Sequence, residues 1–271
     1  METYKGKTVV ITGAATGIGF ALAREFGSEG ARIVIGEPRE ARLEEAVSAL
    51  EAAGIEVAAK VLDVREPASM EAFADFAWET FGAVHLLINN AGVGVGLKRV
   101  SELPLEALHQ VFDVNVFGVW HGCAIFGPRM VAQGGPVAIY NVGSENSFFN
   151  AMPRMAAYIA SKHAVRGLTE ALREEMPEQV TVGLICPGLV QSEMTASGPL
   201  GEAAMAAETF AGKVREQISA GQFYVVTHPY NIERIGPIHA EIEAAYAEHA
   251  PRYAGDEEHD VRLLAAKIRG G

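Results

Sequence analysis

Apolar positions follow two periods along this chain. Runs rich in β-branched residues lie at Thr8 to Thr12, Arg32 to Ile35, Val57 to Leu62, Leu86 to Ile88, Val137 to Val142 and Val180 to Ile185. Between them apolar residues recur at helical spacing: Ile18, Leu22 and Phe26, then Leu43, Val47 and Leu50, then Met70, Phe73 and Ala77, each set sharing one helix face. Apolar strands separated by amphipathic helices predict right-handed crossovers and a parallel sheet covered on both faces. The expected fold class is α/β, a doubly wound parallel sheet in a single domain over residues 1–271. A late run, Phe223 to Thr227, extends that sheet. Residues 191–221 before it are rich in Ala, Gly and Ser with few large anchors, which reads as a mobile lid over a substrate. Residues 229–271 after it are charged and helix-like, a C-terminal helical extension.

Composition narrows the partners. With 271 residues, 49% hydrophobic and 21% charged, the chain can bury one sizeable core. Its formal net charge of −12 repels phosphate backbones and anionic lipid surfaces, so no nucleic acid and no membrane partner is expected. The two cysteines, Cys123 and Cys186, lack metal-ligand spacing and read as small core residues in a reducing compartment. A strand-like run follows the amino terminus at once and no apolar stretch is long enough to span a bilayer, so the expected location is cytoplasmic.

The first strand runs into Thr12-Gly13-Ala14-Ala15-Thr16-Gly17-Ile18-Gly19, and an amphipathic helix begins immediately. Strand, glycines and helix in this order read as a Rossmann-type dinucleotide site. Gly13 permits the tight turn, Gly17 lets backbone approach a pyrophosphate, and Gly19 lets helix pack on strand, with the helix N-terminus facing the phosphate charge. Glu37 ends the second strand about 20 positions on, where a carboxylate accepts hydrogen bonds from the adenosine ribose and repels a 2′-phosphate. Arg39 is a competing signal, since it neutralises such a phosphate. NAD(H) is the expected cofactor on Glu37, with NADP(H) open through Arg39.

Further motifs follow in order. Asn89-Asn90-Ala91-Gly92 comes after the fourth strand, Asn115 sits in Asp113-Val114-Asn115-Val116, and Ser144 follows the fifth strand. Tyr158-Ile159-Ala160-Ser161-Lys162 supplies a Tyr-x-x-x-Lys pair, and Pro187-Gly188 follows the sixth strand. This ordered set resembles the classical short-chain dehydrogenase/reductase family. The resemblance implies a catalytic tetrad of Asn115, Ser144, Tyr158 and Lys162. It also implies cofactor contacts from the turn residues Thr16 and Ile18, from Asn90, Ala91 and Gly92, from Asp63 and Val64 at the adenine, and from Pro187, Gly188 and Ser192 at the nicotinamide. Family members usually associate, so a homodimer or homotetramer is expected. The chain departs from the pattern at Gly143, where a second Ser is common, at Ser192, where Thr is common, and in its helical tail. The interval from Ser144 to Tyr158 is one residue longer than usual, which implies a small loop insertion.

The chemistry agrees with the spacing. An unperturbed Tyr, with a pKa of about 10, is too weak a base at neutral pH and needs a cation beside it. Tyr158 and Lys162, four apart on a helix, share one face, so the ammonium favours the phenolate. Ser144 would donate to the substrate oxygen; the family resemblance further implies that Lys162 holds the nicotinamide ribose and that Asn115 anchors a water that carries the proton outward. His85, His109, His121, His163 and His228 lack ligand spacing, so no metal site is expected. Phe148, Phe149, Met152 and Met194 are candidates for an apolar substrate pocket and equally for core. The expected enzyme interconverts a secondary alcohol and a ketone, with a bulky, largely apolar small molecule as substrate. The alternatives are a 3-oxoacyl-thioester ketoreductase and a dinucleotide-binding regulator without catalysis.

Overall fold

The computed structural model describes residues 4–196 and 199–269. The chain divides into two compact units, Met1–Pro229 and Tyr230–Gly271. In the first unit, β1 (Thr8–Thr12), α1 (Gly17–Ser28), β2 (Arg32–Glu37), α2 (Glu40–Ala52), β3 (Val57–Val61), α3 (Pro67–Phe81) and β4 (Leu86–Asn89) form one half. The other half holds α4 (Leu105–Phe112), α5 (Gly118–Gln133), β5 (Val137–Val142), α6 (Ala156–Glu175), β6 (Val180–Cys186), α7 (Pro199–Ala203), α8 (Ala207–Ser219) and β7 (Tyr224–Val226). The second unit, taken by itself, carries α9 (Ile232–His249) and α10 (Val261–Arg269). Among the described residues, no helix is long and apolar enough to cross a membrane.

All strand pairings are parallel, in the order β3-β2-β1-β4-β5-β6-β7. This is the doubly wound, Rossmann-type sheet expected from the sequence. Successive residues of a strand face opposite sides: Val9 and Ile11 join the core under α1, while Val10 between them joins the core under α3 and α5. The order reverses between β1 and β4, so their carboxyl ends diverge and open a crevice there. The helices obey local rules. Pro67 begins α3, where its missing N–H costs nothing, and Gly82 ends it at φ 76.

Two expectations change. Residues 191–221, expected to have few large anchors, contain α8, whose Phe210, Ala211, Val214 and Ile218 are buried in the same core as Leu22 and Phe26 of α1. Arg215 adds a 2.7 Å ion pair to Glu25. That helix is part of the body, which confines the lid reading to residues 191–206, of which 197 and 198 lie outside the described residues. The run expected over Phe223 to Thr227 pairs only over Tyr224–Val226.

Candidate active site

The glycine turn is fixed by its contact with the end of β4. Gly13 and Gly17 have φ 62 and 56, the left-handed region open to glycine. A Cβ on Gly13 would lie 2.7 Å from Ala91 Cα, and one on Gly19 would lie 2.4 Å from the Gly13 carbonyl oxygen. Asn90 Nδ2 donates to the carbonyls of Thr12 and Gly13, both at 2.9 Å, and the Thr12 hydroxyl accepts from the N–H groups of Asn90 and Ala91, both at 3.0 Å. The Asn90 side chain thus works on the turn. Thr16 precedes the first turn of α1, where Gly17 and Ile18 begin the helix.

At the end of β2, Glu37 is only 5% exposed. Arg39 Nε donates to its carboxylate at 2.6 Å, and Arg39 Nη1 reaches Glu193 at 2.8 Å, a pair that holds the Glu193 carboxyl below its ordinary range. Arg42 lies 3.6 Å from the same Glu193. At the end of β3, the Asp63 carboxylate is held low by a bidentate bond from Arg65. The Val64 side chain packs into the core, and the Val64 carbonyl sits 2.9 Å from the His121 ring. What these two residues offer a ligand is therefore mainly one carboxylate edge and backbone.

The four residues of the expected tetrad come together beyond the carboxyl ends of β4 and β5. Asn115 lies in a π-helical turn, Asp113–Phe117, between α4 and α5. It is fully buried, accepts from Val93 N at 2.8 Å and donates to the Val93 carbonyl at 3.0 Å and to Ser161 Oγ at 3.1 Å. Ser144 follows β5, its hydroxyl near enough to the Tyr158 phenol to lower its pKa. One turn along α6 from Tyr158, Lys162 donates to the Val142 carbonyl at 2.8 Å, its ammonium 5.6 Å from the centre of the Tyr158 ring. Burial pushes Lys162 down to about 8. Burial likewise raises the Tyr158 phenol, the Ser144 hydroxyl opposes that rise, and the charge of Glu145 adds to it.

The loop between Ser144 and α6 has its own backbone features. Among the described residues, Arg154 is the one non-glycine with positive φ, at 67°. Ser147 donates to the Lys162 carbonyl at 2.8 Å, which pins the loop to α6. The pocket candidates divide. Phe148 meets Tyr224 edge-to-face at 5.6 Å and lies beneath Arg166 at 5.0 Å, and Phe149 is buried. Met152 is half-buried. Met194 is 49% exposed and lies across Gly94, where a Cβ would meet its sulfur at 3.3 Å.

A family model described as short chain dehydrogenase matches residues 7–202. The chain belongs to the short-chain dehydrogenase/reductase family. Among its relatives is 1-deoxy-11-beta-hydroxypentalenate dehydrogenase of Streptomyces avermitilis, 35% identical over 237 residues that cover 84% of this chain and 87% of the relative. A short chain dehydrogenase/reductase from Burkholderia phymatum, solved in complex with NAD, is 34% identical and covers 90% of this chain and 96% of its own, with a TM-score of 0.84. The apo form of LigO from Sphingobium sp. strain SYK-6 covers all of this chain and 98% of its own at 27% identity, with a TM-score of 0.83. This chain is an oxidoreductase of that family.

In this short-chain dehydrogenase, the residues around Pro187 and Gly188 join the tetrad to the outer strands. The Pro187 carbonyl accepts from Glu145 N at 2.7 Å and from Ser144 Oγ at 3.5 Å. Ser192 N donates to Thr195 Oγ1 at 2.9 Å. Among the described residues no three His, Cys, Asp or Glu side chains gather as a metal cluster, and His163 is exposed, its Nδ1 3.0 Å from the Ile159 carbonyl. The sequence reading missed three groups. Glu193 and Arg42 carry no local signal, because their contacts join the segment after β6 to the start of α2. His228, weighed only as a metal ligand, instead packs against Gly188 across 40 residues.

Proposed function

We propose that this short-chain dehydrogenase interconverts a secondary alcohol and a ketone with a nicotinamide dinucleotide, and that Tyr158 transfers the proton. The observation that carries this reading is the placement of Tyr158 beside Ser144, with the Lys162 ammonium 5.6 Å from its ring centre. In oxidation Tyr158 accepts the substrate hydroxyl proton, and in reduction it returns one to the carbonyl oxygen. Ser144 donates a hydrogen bond to that oxygen as charge develops on it, a contact worth about 3 kcal/mol in comparable sites. A charged Lys162 would favour the phenolate against the burial that raises the Tyr158 phenol, and Asn115 holds the path by which the proton leaves.

The residues present fit a dinucleotide. The turn of Gly13, Thr16, Gly17, Ile18 and Gly19 has no room for a Cβ at Gly13 or Gly19, and the helix start that follows it suits a pyrophosphate. Glu37 is suited to the ribose, Asp63 and Val64 to the adenine edge, Asn90, Ala91 and Gly92 to the central crevice, and Pro187, Gly188 and Ser192 to the nicotinamide. When bound, the cofactor takes up or gives a hydride. NAD(H) is favoured because Glu37 is buried at the strand end and Arg39 is already paired with Glu37 and Glu193. The relative crystallised with NAD and the relative named for a hydroxypentalenate support a pyridine-nucleotide enzyme acting on a bulky, largely apolar alcohol. Met194 across Gly94 supplies one apolar wall.

An absorbance screen of NADH and NADPH against alicyclic, aryl and aliphatic ketones and the corresponding alcohols tests this reading. Turnover of a bulky secondary alcohol or its ketone is the expected result. Activity on carrier-bound thioesters alone would point to a thioester ketoreductase, and tight dinucleotide binding with no turnover would point to a regulator.

A further inference from the structure

We infer that His228 is a positioning residue for the Pro187–Gly188 loop, holding the nicotinamide half of the dinucleotide in place through a neutral ring with its proton on Nε2. This rests on the cofactor reading above. Gly188 N donates to His228 Nδ1 at 3.1 Å, and a backbone N–H cannot accept, so Nδ1 must carry the lone pair. The other nitrogen, Nε2, lies 3.2 Å from the Leu189 carbonyl, which can only accept, so Nε2 must carry the proton. The two backbone groups therefore require the same tautomer independently. The Thr227 hydroxyl, 2.8 Å from Nδ1, donates into the same lone pair.

The ring also accounts for the glycine. A Cβ on Gly188 would lie 2.6 Å from His228 Cγ and 2.9 Å from both Cδ2 and Nδ1, so the ring lies flat against a bare α-carbon. Any side chain at 188 would lift the loop off its support. The opposite edge of the loop is held by the Pro187 carbonyl, which accepts from Glu145 N and from Ser144 Oγ. One short peptide is thus gripped by the Ser144 turn on one side and by His228 on the other. Its geometry decides where a nicotinamide carboxamide could meet backbone, and His228 sets that geometry without touching substrate.

The test compares His228→Leu, which removes the acceptor, with His228→Asn, whose side-chain oxygen can take the place of Nδ1. Calorimetric dissociation constants are measured for NAD and for ADP-ribose, which lacks the nicotinamide. The expected result is that His228→Leu weakens NAD by about tenfold while ADP-ribose binds as in the unsubstituted protein, and that His228→Asn restores most of the NAD affinity. Equal losses for both ligands in His228→Leu would make the residue merely structural, and unchanged NAD affinity in His228→Leu would overturn the positioning role. If the unsubstituted protein bound neither ligand, the dinucleotide reading itself would fall, which separates that failure from the first two.

Discussion

Glu193 and Arg39 are 154 residues apart in sequence and 2.8 Å apart in space, which ties the segment after β6 to the end of β2. Arg39 is also bonded to Glu37, so one guanidinium is shared between the expected ribose carboxylate and a carboxylate of the segment after β6. A 2′-phosphate would compete with Glu193 for Arg39 and Arg42. Glu193→Gln removes that competitor, and the KM for NADPH should fall while that for NADH changes less. Both partners are about half exposed and screened by water, so the change should be no more than about fivefold. Steady-state KM values for both cofactors check it, and an equal shift in both would show that the pair does not discriminate.

Tyr158→Phe removes one oxygen from a side chain whose ring remains packed against Lys162. Turnover should drop by at least about 10²-fold to 10⁴-fold, the scale of a lost acid-base group. NAD binding, followed by quenching of protein fluorescence, should hold within about twofold, because the phenol is expected to act on substrate. Retained turnover would remove Tyr158 from the mechanism.

Gly122 on α5 touches a buried polar chain. A Cβ there would fall 2.0 Å from Asn89 Oδ1, and Asn89 Nδ2 donates to Asn141 Oδ1 at 2.8 Å, whose own amide donates to Thr169 at 3.0 Å. Gly122→Ala must displace Asn89 and strand groups that water cannot reach. We expect a loss of about 1–3 kcal/mol in denaturant unfolding, with a lowered midpoint and an unchanged slope. Gly54→Ala makes a useful contrast, because no atom lies within 4 Å of a Cβ there, yet its φ is 75; its loss should come from backbone strain alone.

How much of this was legible in the sequence depends on how local each contact is. The bounds of β1 and β5 coincide with their apolar runs because both are buried along their whole length. The Ser144 turn and the Tyr158–Lys162 face follow from a strand end and a helical period, which are local rules. The wider stretch of residues 191–221 reads as loose because it is rich in Ala, Gly and Ser, although Phe210, Val214 and Ile218 of α8 fall at helical spacing; their partner, α1, lies far away in the chain. The π-helical turn at Asn115 has no composition signal. It is accompanied by the ties of Asn115 to Val93 and Ser161, which lie 22 and 46 residues away. The left-handed backbone at Arg154 is hidden for the same reason, since nothing in its own side chain favours that conformation.

The pH dependence follows from Lys162. Burial favours its neutral amine and brings the group down to about 8, so the charge is present below about pH 8 and lost above it. The Tyr158 phenol moves the other way, raised by burial, and is still protonated when Lys162 titrates. Ketone reduction needs both the phenolic proton and the ammonium, so the lysine is lost first as pH rises. The kcat/KM for NADH reports the free enzyme. It should be level between about pH 6 and 7.5 and fall about tenfold per unit above about 8. Lys162→Met should abolish that limb and lower the plateau by about 10²-fold to 10⁴-fold. A profile in the unsubstituted protein that stays level to pH 10 would mean that Lys162 keeps its proton there, and that its contact with the Val142 carbonyl outweighs the cost of burying the charge.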